Sequence, residues 1–141
     1  MTARRVAPPG GMAPPRTVDG PAGEALDLEA LARTICARYY EEFTDEDERY
    51  GDAGREWCVH DNQHLLNWAA LDVHGGVVLG EQVEWLARVL EARGFPVDRL
   101  ARDLELAGDV VAEQVAGGDG MAGRLRDAAA MVRERGSFLA S

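Results

Sequence analysis

Two imidazoles one helical turn apart, His60 and His64, have the spacing in this sequence that most directly invites chemistry. At about 100° per residue, an i, i+4 pair projects from one side of a helix, where both rings reach one metal ion or flank a planar ligand. The surrounding string, Trp57-Cys58-Val59-His60-Asp61-Asn62-Gln63-His64-Leu65-Leu66-Asn67-Trp68, adds further candidates. Trp57, Asp61, His64 and Trp68 fall on one stripe of the same helix, which therefore carries two indoles, a carboxylate and an imidazole. Such a stripe suits a flat cofactor walled by the indoles: a bilin, or heme or cobalamin with His64 as axial ligand.

Each of these readings has a competitor. The string from His60 to His64 has the outline of the zincin His-Glu-x-x-His helix, but Asp61 stands where a glutamate serves as general base. Its shorter stem draws a base away from a metal-bound water, and no good third ligand is evident. The tryptophans can equally anchor a core or an interface, with His64 bonded to Asp61 or Asp72. His74, beside Gly75, suits the negative end of a helix dipole. Cys58 falls on the apolar side, where a thiol packs. Tyr39 and Tyr40 point to different sides of an earlier helix, one of them toward this one. Trp85 lies off the main stripe of its helix, either wedged between helices or exposed to a partner.

The elements that position these residues are helices. Leu28, Leu31, Ile35, Tyr39 and Phe43 recur at spacings of three and four, with Asp27 as the N-cap. The acidic run from Glu41 to Glu48 reads as a solvated surface. Gly51 and Gly54 mark a break, and the helix bearing the imidazoles runs from about Arg55 to Val73 and stops at Gly75-Gly76. With one apolar face and one aromatic and acidic face, it reads as the central helix, covered on both sides. A further helix follows Gly80 and ends at Arg93-Gly94-Phe95-Pro96. Another spans about Val97 to Val115, and the last carries Met121, Leu125, Ala129 and Val132, with Phe138-Leu139 as an apolar tail. About five helices joined by short glycine-bearing loops predict an all-α domain over 24–141, a compact bundle or globin-like packing. Residues 1–23 hold five of the six prolines and few large apolar side chains, so they read as a flexible, disordered arm.

Composition narrows the partners. The 141 residues carry a formal charge of -10, and all fifteen basic residues are arginine. A surface this acidic repels phosphate backbones, so nucleic acid is not an expected partner. No apolar run reaches membrane-spanning length, and no signal-peptide core follows the N-terminal arginines. Cys36 and Cys58 alone do not make a disulfide framework, which points to the cytoplasm of a bacterial cell.

The stretch Arg49-Tyr50-Gly51 … Cys58 … Asp61 … His64-Leu65 … Trp68-Ala69, followed by Trp85-Leu86 and Arg93-Gly94 … Pro96, resembles a helical module of bacterial cobalamin-binding and sensory-regulatory proteins over roughly residues 45–115. The resemblance implies a sensory or regulatory domain and not a catalyst. The Asp-x-His-x-x-Gly string by which many cobalamin proteins ligate cobalt does not occur here. The expectation is a non-catalytic regulatory module working through a protein partner or as a homo-oligomer. The alternatives are a tetrapyrrole-binding sensor using Trp57, Asp61, His64 and Trp68, and a small metalloenzyme using His60 and His64.

Overall fold

The computed structural model describes residues 13–139, so the expectation for residues 1–12 lies outside it. Two short strands, β1 (Thr17–Asp19) and β2 (Ala25–Asp27), precede five helices: α1 (Leu28–Glu42), α2 (Glu46–Val73), α3 (Leu79–Ala92), α4 (Val97–Gln114) and α5 (Asp119–Arg135). The expected all-α bundle is what forms.

The proline-rich arm orders earlier than its composition suggests. β1 and β2 pair antiparallel, with Val18 opposite Leu26, across a turn in which the Gly20 amide donates to the Glu24 carbonyl at 2.7 Å. Backbone pairing supplies what a run without large apolar residues cannot, and Leu26 is buried. Gln63 Nε2 donates to the Pro15 carbonyl at 3.2 Å, tying the segment to α2. Residues 13–23 therefore belong to the folded domain.

α1 begins as its sequence requires, with the Asp27 carboxylate accepting from the Ala30 amide at 3.0 Å. α4 is the most enclosed helix, burying Leu100, Ala101, Leu104, Leu106, Ala107, Val110 and Val111, and its most extensive partner is α5. The central role expected of α2 thus falls to α4, because α2 keeps its second side only half-buried. Arginine–carboxylate pairs brace α4: Arg38–Glu113 and Arg102–Glu42 from α1, and Arg133–Glu105 from α5. The Phe138 side chain closes one end of the core, while Leu139 stays exposed.

α2 starts nine residues before the expected Arg55 and is kinked, not broken. Gly51 takes φ 63° and ψ −157°, a backbone conformation open to glycine, and Gly54 continues the helix. Bidentate bonds from Arg55 to Asp47, both 2.6 Å, clamp the two sides of the kink. No helix among the described residues is long and apolar enough to cross a membrane.

Candidate functional site

The kink bends the start of α2 over the first turns of α4, and these two helices make little backbone contact. Between them, roofed by α1 and the end of α3, lies a cavity of about 380 Å³. That size falls at the small end of organic-ligand sites, roughly 300–1,000 Å³. Its walls are aromatic: Tyr39 and Tyr40 from α1, Tyr50 and Trp57 from α2, and Phe95 from the loop before α4. Gly54 makes room for this arrangement, since a Cβ there would sit 2.5 Å from Tyr50 Cβ and 3.3 Å from Tyr40 Oη.

The walls are held by polar ties. Glu46 is only 3 % exposed and accepts from Tyr39 Oη at 2.8 Å and Arg99 Nη1 at 2.7 Å. The second Arg99 nitrogen reaches Asp45 at 3.1 Å. Part of the acidic run expected to be solvated is therefore a buried anchor linking α2 to α1 and α4. The Arg55 guanidinium lies 4.1 Å from the Tyr40 ring centroid, and that of Arg93 lies 5.1 Å from Trp57. Tyr50 and Phe95 meet at 6.0 Å between centroids.

The floor is made of hydrogen-bond acceptors. Asn62 Nδ2 donates to Asp103 Oδ1 and to the Cys58 carbonyl, each at 3.0 Å. Both partners are acceptors, so the amide nitrogen must face them and Asn62 Oδ1 is left with no donor. The hydroxyl of Tyr40 is likewise buried with no hydrogen-bond partner. Asp61 Oδ1 is buried, with His60 Nδ1 3.7 Å away. Burial raises the Asp103 carboxyl to about 7, countered by the Asn62 bond and reinforced by the nearby charges of Asp61 and Glu46. Burial also raises Asp61, which the His60 side chain opposes. A hydrogen bond with Cys36, together with burial, pushes the Cys58 thiol well up, away from the reactive thiolate.

The structure divides the four residues of the tryptophan stripe. Trp57 and Asp61 line the cavity, whereas His64 and Trp68 lie further along α2, outside its lining. His64 stacks on Trp68 with centroids 5.5 Å apart, and His60 is 4.8 Å from His64, so these rings form a ladder beside the site. An axial histidine and this cavity do not come together, and the site does not fit a histidine-ligated tetrapyrrole. No group of three or more His, Cys, Asp or Glu residues able to hold a metal occurs among the described residues, so His60 and His64 gain no third ligand there. Asp72 bonds the Leu79 amide at 2.7 Å and Arg124 at 2.8 Å in place of the expected His64. Tyr39 and Tyr40, expected on different sides, both line the cavity, as does Cys58.

Sequence reasoning missed Asp103, although a signal was present. Leu100, Asp103, Leu104 and Ala107 follow the i, i+3, i+4, i+7 pattern of a buried face, so a carboxylate occupies a core position of α4. Glu46, Arg99 and Phe95 carried no such mark, because their roles depend on the kink. No family model, curated protein or solved structure matches the chain.

Proposed function

We propose that this chain is a non-catalytic regulatory domain that takes up a small, largely apolar organic molecule between α1, α2 and α4 and signals its occupancy through protein contacts. One observation carries the reading: an aromatic-walled cavity bordered by Tyr40 and Asn62, whose buried Oη and Oδ1 atoms have no hydrogen-bond partner. Buried polar groups are almost always satisfied, so a site that leaves two unmet is shaped for something that meets them. The high pKa of the Cys58 thiol argues against nucleophilic chemistry there. Trp85, 38 % exposed on α3, and Val78, exposed just before that helix, are apolar side chains that a partner or a second copy would cover.

Ligand-observed NMR with a library of aromatic fragments tests the uptake. Several fragments should compete for one site and shift the indole N–H resonance of Trp57, and Ala53→Phe, which fills the cavity, should abolish both effects. Binding that survives Ala53→Phe would overturn the reading. Light scattering with and without a bound fragment tests the output: a mass that depends on the fragment supports regulation through association. A monomer in both states that retains no protein partner would refute that half. Hemin is the control for the tetrapyrrole alternative. A Soret band lost in His64→Ala would move the site to the His60–His64–Trp68 ladder and displace the cavity.

A further inference from the structure

We infer that the cavity's occupant is a protonated amine on an aromatic or aliphatic body, its ammonium group seated between Asp61, Asp103 and Asn62. This deepens the cavity reading and rests on it.

Asp61, Asn62 and Asp103 border the cavity; Asn62 Oδ1 is buried without a donor, Asp61 has His60 Nδ1 at 3.7 Å beside its Oδ1, and the bonded partner of Asp103 is Asn62. Tyr40 Oη, also unpartnered, can itself accept. Asn62 is 1 % exposed and Tyr40 8 %. A site rich in acceptors calls for a ligand rich in donors, and an ammonium group brings three N–H bonds and no acceptor.

Charge points the same way. Asp61 and Asp103 are buried beside each other's field, and Glu46 adds to it. The cations lining the cavity are already engaged: Arg99 by Glu46 and Asp45, Arg49 by Asp45 at 3.4 Å, and Arg93 over the Trp57 face. An anionic ligand would have to displace these contacts and then face the acids. A cation meets the carboxyl groups of Asp61 and Asp103 and the aromatic walls of the cavity, the setting in which aromatic rings hold organic cations. At about 380 Å³ the cavity holds more than the ammonium group, and its walls are apolar enough for a ring or a short chain.

Calorimetric titration of the full chain with naphthylethylamine, naphthylethanol and naphthylacetate separates the alternatives, because the three share one body and differ in their head group. The amine should bind at least about tenfold more tightly than the alcohol, a difference of about 1.4 kcal/mol, and the acetate more weakly than either. Asp103→Asn should bring the amine down to the level of the alcohol and leave the alcohol unchanged. Asp61→Asn should lower the amine's preference independently, should the first variant fail to fold by circular dichroism. Equal binding of amine and alcohol, or a preference for the acetate, would overturn the amine assignment while leaving the cavity as a ligand site. If none of the three bound, both the amine assignment and the uptake reading would fall.

Discussion

Helix α4 meets two neighbours in opposite ways. Toward α5 it makes its most extensive contact, and Leu104, Ala107, Val110 and Val111 on α4 and Met121, Ala122, Leu125 and Ala129 on α5 are all essentially shut off from solvent. Toward α2, the same helix presents Arg99, Leu100 and Asp103 to an open volume. Side chains large enough to fill it are at hand, since five aromatic rings border it. They stand as walls because ties hold them back, Tyr39 to Glu46, Tyr40 under Arg55 and Trp57 under Arg93. Interiors normally close to crystal-like density. One face of α4 therefore shows what this chain does when it is building stability, and the other shows an opening that is itself constructed.

The largest effect expected from breaking this contrast is at Asp103, 7 % exposed. Its carboxyl rises from 3.8 to about 7 on folding, so between these values the folded chain binds more protons than the unfolded one. The acid's raised folded value therefore makes stability fall as pH rises through this window, by on the order of 4 kcal/mol at 1.36 kcal/mol per unit. Burial and the charges of Asp61 and Glu46 set this behaviour against the Asn62 hydrogen bond, and the other titratable groups bordering the same cavity are Arg49 and Cys58 on α2, Arg99 on α4, Tyr39 and Tyr40 on α1, and Arg93 beyond α3. Asp103→Asn removes the charge and retains an acceptor for Asn62. Thermal unfolding followed across the pH range should show the variant more stable than the parent above neutrality, with the gap closing toward the acid end. A gap independent of pH would mean that Asp103 is ionised and compensated in the fold.

A smaller effect compares the two faces directly. Ala107→Leu adds three carbons where α4 is already filled, and should cost about 1–3 kcal/mol in urea denaturation. Ala53→Leu adds the same three carbons at the cavity wall and should be neutral or stabilising, by up to about 1–2 kcal/mol, as cavity-filling changes commonly are. Equal losses at the two positions would show that the opening relaxes closed in solution.

These contrasts also explain what the sequence disclosed. Apolar periodicity carried the helices, and capping chemistry placed the start of α1 at Asp27, because both are local. The stripe from Trp57 to Trp68 was legible as unusual, yet only Trp57 and Asp61 reach the cavity, because it opens over the first turns of that helix and not along its length. Glycine at 51 read as a terminator, since sequence does not tell a stop from a kink that a distant Asp47–Arg55 clamp holds inside a helix. The Glu46–Arg99–Tyr39 anchor joins residues up to sixty positions apart and leaves no local trace. Asp103 alone among the missed residues broke a local rule, by placing a charge on a buried stripe.

Gly51 gives the smallest change in stability and the sharpest test of whether the cavity depends on its kink. Nothing lies within 4 Å of a Cβ built there, so Gly51→Ala brings no clash, only the strain of φ 63°. That strain, at φ 63° and ψ −157°, amounts to about 1–3 kcal/mol for a residue with a side chain. Gly136, at φ 70° just past α5, is equally open and serves as the control, since it lies outside the cavity lining. Both alanine variants should lose similar stability in denaturant. In Gly51→Ala the chain can also escape the strain by straightening the start of α2. This would swing Glu46 from Tyr39 and Arg99 and carry Tyr50 away from Phe95. Only that variant should therefore lose ligand uptake and Trp57 fluorescence changes on titration. If both variants kept uptake, the cavity's walls would be holding their places without the kink, and the clamp across Asp47 and Arg55 would matter for stability alone.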